Sequence, residues 1–473
     1  MGKVPMVGIF RTAALVGGLT LAAFGGPGKA QAENIADALI GAYNTSGLLE
    51  QNRALLRAAD EDVATTVSLL RPVVSWTAQA SRTIGEGSTS GVSYNANATN
   101  VFTGLTISQL LYDGGASRLT KQAAQETVLA TRQTLLSVEQ QILFRAAAAY
   151  LSVVLQQENV RISLNNVRLL SEELRAAQDR FDVGEVTRTD VALAQSSLAA
   201  ARSNLAAARG ALVSAQAEYA NASGHRPGPL AGQPRLPKAA ASLQAATDIA
   251  VRNHPSILAA QHQVKAAELS AQSASKAMGP SASLSADLGY SEVTTGTNFS
   301  RTGSVTLSVS QPIYQGGGLA AQYRRALASR DAAKSSLLTV QHDVIQNVAD
   351  AYVRLETAKA SLISSAEQVR AARVAFEGIR EEAKLGARTT LDVLSAEQDL
   401  LDAQINQVSA RSEEGIASYQ LLQAQGLLTA ERLGLAVQIY DPTLYYNLVK
   451  DAPSKLSKRS KDLDRVLKAL GKR

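Results

Sequence analysis

Gln109-Leu-Leu-Tyr-Asp-Gly-Gly115 opens a stretch that returns as Gln311-Pro-Ile-Tyr-Gln-Gly-Gly317, two hundred and two positions later. The same offset separates Tyr150 from Tyr352, Gly184 from Gly386, Asp190 from Asp392 and Gly224 from Gly426. Gly114 to Gly224 and Gly316 to Gly426 are therefore two copies of one structural unit, aligned without a gap. Neither copy contains proline; both are rich in Ala, Leu, Gln, Arg and Glu, and each has one interior loop signal at its mid-point glycine. That pattern predicts a long helical hairpin over 114–222 and another over 316–425. The first arm runs for about 70 residues, roughly 100 Å at 1.5 Å per residue. A helix of that length points to a coiled coil or a spanning device rather than a globular core.

Upstream of each opening motif the apolar period changes. Ile35 to Leu70 has apolar residues at spacings of three and four and reads as helix, stopped by Pro72. Val74, Trp76, Ala78 and Ala80 then alternate with small polar residues. After a Gly/Ser/Asn-rich loop, Gly85 to Asn100, Val101, Thr103, Leu105 and Ile107 alternate with Phe102, Gly104, Thr106 and Ser108. In the second copy a helix runs to Met278 and Pro280 ends it. Ala282, Leu284, Ala286, Leu288 and Tyr290, and later Val305, Leu307 and Val309, again occupy alternate positions. The strands fall at about 73–82, 101–109, 281–291 and 302–311. Their length and dyad pattern match outer-membrane barrel strands, and equally a soluble antiparallel sheet with one wet face.

The amino terminus bears on that choice. Lys3 and Arg11 flank an apolar core, Thr12 to Phe24, and Ala30-Gln-Ala32 fits small-x-small cleavage before Glu33. Residues 1–32 read as an export signal, and no later run approaches the ~20 apolar residues of a helical span. The expectation is an exported protein whose membrane contact is the strands. Four strands do not close a barrel, and open edges are not tolerated in lipid. Three copies would bring twelve, an even number within the known range. The organisation is thus an export signal (1–32), a first repeat (33–224), a Pro/Gly linker (225–240), a second repeat (241–426) and a C-terminal extension (427–473). Leu427 to Tyr440 is expected to add one further short helix or strand.

The net charge of +6 is local. Residues 450–473 hold nine Lys/Arg against three Asp, and residues 33–449 hold 35 basic against 38 acidic. The body is not a nucleic-acid binder, and the tail reads as a solvated, partly helical or disordered end. Cysteine is absent from the sequence, which excludes disulfides, thiol nucleophiles and a lipidated amino-terminal Cys. The four histidines are scattered. His254 and His262, eight apart on one expected helix, suit a surface or interface better than a metal. Gly316-Gly-Gly318 lacks the Lys-Ser/Thr of a phosphate loop. No catalytic, cofactor or metal site is expected.

On the return arm of the first hairpin, Val191, Leu198, Leu205, Leu212 and Tyr219 recur every seven residues, with Ala194, Ala201, Ala208, Ala215 and Ala222 between them. Alanine at one seam position lets helices approach closely. The polar residues of interest lie at the turns, Phe181-Asp-Val-Gly184-Glu-Val-Thr187-Arg-Thr189-Asp190-Val191 and Leu385-Gly-Ala-Arg-Thr-Thr-Leu-Asp-Val-Leu394. Gly184 and Gly386 suit the left-handed position that ends a helix. Thr187 with Asp190, and Thr389 with Asp392, have capping-box spacing. A second role is compatible with the first: at the end of a threefold tube, one Asp per chain forms an acidic ring that favours cations. Arg388 is then placed to hold neighbouring hairpins shut by pairing with Asp190.

With these motifs in place, residues 35–440 resemble the TolC family of outer-membrane channels. The resemblance implies a homotrimer with a twelve-stranded β-barrel in outer-membrane lipid and an α-helical periplasmic tunnel. It also implies a periplasmic adaptor and an inner-membrane ABC or RND transporter as partners. Asp392 matches a ring aspartate at the entrance, and Asp190, Thr189 and Arg388 match members of the network that closes it. Ser395 stands where the family's best-known member has a second ring aspartate, and Ala383 where it has a gating tyrosine. A double ring is therefore not expected, and closure rests on fewer contacts. The missing lipidation Cys leans toward type I secretion of protein over multidrug efflux. A trimeric adhesin is the alternative of another class, but it would carry its anchor once, not as strand pairs between antiparallel hairpins.

Overall fold

A computed structural model describes residues 32–95, 97–293, 299–455 and 457–469. The export signal read over residues 1–32 lies outside them, but for Ala32. The first half runs α1 (Ile35–Thr45), α2 (Gly47–Ser68), β1 (Val73–Thr83), β2 (Glu86–Thr89), β3 (Val92–Asn95), β4 (Ala98–Tyr112), α3 (Ala116–Asp182) and α4 (Arg188–Ser223). The second runs α5 (Leu243–Asn253), α6 (Pro255–Lys276), β5 (Ser281–Val293), β6 (Phe299–Ser310), α7 (Gly318–Lys384) and α8 (Thr390–Ala424), followed by α9 (Pro442–Val449) and α10 (Lys458–Ala469).

The duplication reaches further back than the hairpins. The helix expected over 35–70 is broken at Ser46, whose extended backbone (φ −67°, ψ 113°) lets its hydroxyl accept the Leu49 N–H and cap α2. His254, two hundred and eight residues on, has the same backbone (φ −68°, ψ 124°) and caps α6 by accepting the Ser256 N–H at 3.2 Å. His254 is thus a cap, while His262 pairs with Glu126 of α3 at 2.7 Å. The offset falls from 208 to 202 between the strands, where the first copy has a longer connection. That connection is not the plain loop expected over 85–100. It folds as the hairpin β2–β3, turning through Ser90 and Gly91, both at positive φ.

The repeated Gln of the opening motif has the same task in both halves. Gln109 Nε2 donates to Leu70 O at 3.1 Å, and Gln311 Nε2 donates to Met278 O at 3.2 Å. Each amide ties the end of the short helix to the end of the strand that leads into the long one. The long helices α3 and α7 have 67 residues each, about 100 Å. Proline-free, propensity-rich sequence permits that length, but packing stabilises it. Along α4 the buried residues are Ala194, Leu198, Ala201, Leu205, Ala215 and Tyr219, all from the heptad seam, with Ser223. The largest core surrounds the middle of α3, where Leu143, Tyr150 and Leu151 meet Tyr43, Leu56, Tyr219 and Leu428.

The linker is laid across this core. Tyr150 Oη donates to Gly232 O at 2.9 Å, and Gln233 Nε2 to Arg411 O at 3.2 Å. Glu33 fastens the other side, accepting from Tyr219 Oη, from His225 Nε2 at 2.7 Å and from Gly228 N at 2.9 Å. Residues 427–440 form neither helix nor strand; their turns bury Leu428 and Ala430, whose N–H reaches Glu139 at 2.7 Å. The basic tail is helical over Lys458–Ala469.

Candidate functional site

The four long strands form one antiparallel sheet in the order β1-β4-β5-β6, so the β4–β5 pairing joins the two halves. Their register aligns rows of like character. Val74, Ile107, Ala286 and Val305 are paired across the sheet, as are Trp76, Leu105, Leu288 and Gly303. The intervening row is Ser75, Thr106, Asp287 and Ser304, with Thr106 Oγ1 donating to Asp287 at 2.7 Å. In a soluble sheet the apolar face packs on a core. Here it is bare: Trp76 is 69%, Leu288 65% and Val305 76% exposed. A continuous apolar face of this kind marks an interaction surface, and strands of 11–15 residues reach across a hydrocarbon core even when tilted. Among the described residues no helix is long and apolar enough to cross a membrane.

The hairpin turns lie at the far ends of α3 and α7. Both helices end in the same motif. Glu185 N donates to Arg180 O at 2.8 Å and Gly184 N to Phe181 O at 3.0 Å; Ala387 N donates to Glu382 O at 2.9 Å and Gly386 N to Ala383 O at 3.1 Å. This crossing pair needs a left-handed residue, supplied by Gly184 (φ 81°) and Gly386 (φ 77°). The return helices open with capping boxes. Thr187 N and Oγ1 donate to Asp190 Oδ2 at 2.9 and 2.7 Å, and Thr389 N and Oγ1 donate to Asp392 Oδ2 at 3.0 and 2.8 Å. Asp190 is held below the usual carboxylate range by the Thr187 side chain, then by its N–H. For Asp392 the Thr389 N–H leads and the hydroxyl follows. Both carboxylates are charged at neutral pH, and the caps use Oδ2, so capping and a negative turn coexist.

Arg388 lies at the same turn. Within one chain it pairs with Glu382 at 2.8 Å, which raises its pKa further. Thr189 is exposed on the first turn of α4. The fold thus brings Asp392 and Arg388 to one tip and Asp190 and Thr189 to the other. Thr389→Val is expected to remove the second cap at a cost of about 1 kcal/mol. Amide exchange in the first turn of α8 should then quicken roughly fivefold; unchanged exchange would show that the box carries no stability.

The sequence reading missed the seam between the hairpins, just behind the tips. Glu173 of α3 pairs with Arg380 of α7 at 3.0 Å. Asn166 of α3 donates to Glu397 of α8 at 3.0 Å. Leu394 packs beside them against Leu170, Leu198 and Ala201. Glu397 is 3% exposed, and its second oxygen is buried with no hydrogen-bond partner among the described residues. Burial, and then the charge of Glu173, push its carboxyl up to about 7 against the pull of Arg380. The readable signal was a carboxylate on the apolar stripe Val393, Ala396, Leu400.

This geometry has relatives. Residues 42–225 and 246–427, one stretch in each half, match the family model described as outer membrane efflux protein. The chain belongs to the outer membrane efflux protein family. Among relatives of this efflux protein, the outer membrane efflux protein BepC of Brucella suis biovar 1 (strain 1330) is 36% identical over 89% of this chain and 91% of its own. The alkaline protease secretion protein AprF of Pseudomonas aeruginosa is 25% identical, over 67% of this chain and 68% of its own. The Campylobacter jejuni CmeC outer membrane channel has the same fold, with a TM-score of 0.75 at 16% identity, covering 90% of this chain and 91% of that one. The bare apolar sheet of this efflux protein is accordingly its outer-membrane portion, and the long hairpins are its periplasmic portion.

Proposed function

We propose that three copies of this chain pool their sheets into a twelve-stranded barrel and their hairpins into one tunnel. The assembly is the exit duct of a tripartite exporter, fed by an inner-membrane transporter through a periplasmic adaptor. The observation that carries this reading is the sheet itself. β1 and β6 are both open edges, and lipid tolerates no unpaired strand edge. Purified in detergent, the mature protein is expected to run as a trimer and to give unitary conductance steps in a planar bilayer. A stable folded monomer, or crosslinks only at dimer or tetramer mass, would overturn it.

Small molecules are the cargo this reading favours, on the 36% identity to a protein named for efflux. Protein is the second reading, on the likeness to one named for protease secretion. Deleting the gene separates them. Heightened sensitivity to toxic compounds with normal secretion supports the first, and a lost secreted protein supports the second.

At the entrance, Asp392 supplies one carboxylate per chain to a ring, and Arg388, Asp190 and Thr189 belong to the contacts that close neighbouring tips. The support is their location: all four sit at hairpin tips, exposed or half-buried. Asp392→Ala is expected to weaken block of the conductance by trivalent cations, since three carboxylates at a constriction are what such ions bind. Unchanged block would leave Asp392 as a helix cap alone.

A further inference from the structure

We propose that α10 lies on the periplasmic leaflet of the outer membrane and takes anionic phospholipid headgroups, fastening the collar of the barrel to the bilayer. The inference rests on the membrane placement of the sheet and adds a lipid-binding surface to it. After the second hairpin the chain climbs back toward the strands. Arg132 of α3 donates to Pro442 O at 3.4 Å, Gln125, two turns nearer the sheet, donates to Tyr446 Oη at 2.9 Å, and Arg71 donates to Ala452 O at 2.9 Å. Arg71 stands two residues before β1, at the corner that Gln109 ties to the sheet. The backbone at Ala452 is thus level with the periplasmic end of the strands. Leu69, Val73, Tyr112 and Tyr314 are exposed at that level, an apolar and aromatic rim suited to the membrane interface.

The ion pair of Arg459 with Asp451 holds the first turn of α10 at this place. The helix has twelve residues, roughly 18 Å. Leu463, Val466 and Leu467 fall at i, i+3 and i+4 on one face; Val466 is exposed, and Leu463 and Leu467 are half-buried in a helix that packs beside α9. Lys458, Arg459, Lys461, Arg465 and Lys468 stand against Asp462 and Asp464. A basic helix with an apolar stripe is the form that lies in a headgroup layer. Its excess positive charge complements anionic phospholipid, and that attraction falls off within a Debye length of the surface.

Because the native sequence has no cysteine, Val466→Cys gives one labelling site for a polarity-sensitive dye on the full chain. The labelled protein is reconstituted into nanodiscs of phosphatidylcholine alone or mixed with phosphatidylglycerol. The expected result is a blue-shifted emission, quenched by lipid-borne nitroxides, in anionic discs only. High salt should reverse it, and so should the combined variant K458E/K461E/R465E/K468E. Thr89→Cys on β2, at the opposite end of β1, should report no change between the discs. Retained conductance of the charge-reversed variant shows that the barrel still forms. Equal emission in neutral and anionic discs, or a response that survives charge reversal, overturns the proposal. So does a blue shift produced in neutral discs by soluble peptidoglycan fragments. Failure of the labelled protein to enter discs at all would instead count against the membrane placement of the sheet.

Discussion

Gly426→Val is expected to lower the stability of the folded channel by more than about 3 kcal/mol, and its accumulation with it. Gly426 has φ 74°, a region a β-branched residue rarely adopts. Conformation alone costs about 1–2 kcal/mol. The remainder is contact. A Cβ there would stand 2.8 Å from His254 Cα, 3.0 Å from Pro255 Cδ and 3.1 Å from Asn253 O. These are backbone and ring atoms at the corner between α5 and α6, and none is the free end of a flexible side chain. Gly115→Ala separates the two contributions, because Gly115 has φ 88° but nothing within 4 Å of an added Cβ. It should lose only about 1 kcal/mol. Denaturant unfolding in detergent, followed by the helical signal, reads both. A loss at Gly426 no larger than at Gly115 would mean that the α5–α6 corner yields, and that the close approach is not a constraint.

The second large effect is one of pH. Folded, the Glu397 carboxyl holds its proton to about 7, whereas unfolded it releases it near 4.5. Between those values the folded chain binds more protons, so stability falls as pH rises through the window. The loss is on the order of 2–3 kcal/mol per chain. The charged groups facing Glu397 are Glu173 from α3 and Arg380 from α7, while α4 presents Ser197, Ala201 and Asn204, which do not titrate. Deprotonation therefore places a second carboxylate beside Glu173 with only Arg380 to share, and loosens the seam of the two hairpins. Glu397→Gln, neutral throughout, should be more stable than the native protein at pH 8 and close to it at pH 4.5. Burial also pushes Asp60 up to about 7, against the pull of Arg132, so the variant keeps a shallower slope of the same sign. Melting temperatures across this range provide the check. A native protein equally stable at both ends, or a variant with an unchanged slope, would show that the buried oxygen is solvated.

What was legible in the chain was local or periodic. The strand faces follow from alternation, the turns from a glycine and a Thr-x-x-Asp box, and the hairpins from long proline-free runs. Each is decided within a few residues of itself. Three features were read wrongly: residues 427–440, which are turns rather than a helix or strand, and two more that were local but weakly signalled. Ser46 interrupts a helix-forming run that has no proline, and the β2–β3 strands are short, exposed and polar, so nothing but the Ser90-Gly91 turn announced them. The Asn166–Glu397 contact lay beyond such reasoning because it joins residues 231 apart. Only the odd placement of an acid on an apolar stripe hinted at it. Arg388, by contrast, finds its partner locally: Glu382, six residues back across the turn, takes it within the chain.

The two halves are alike in parts but not in tips. Where the second turn has Arg388 the first has Val186, and where the second return helix has Glu397 the first has Gln195. A polypeptide of half this length, present six times, would supply the same strands and helices around a sixfold axis, and every tip would have to act alike. Fusion into one polypeptide removes that constraint. The two tips can therefore differ in charge, and they do: Arg388 pairs with Glu382 at the second, where the first has Val186 in its place.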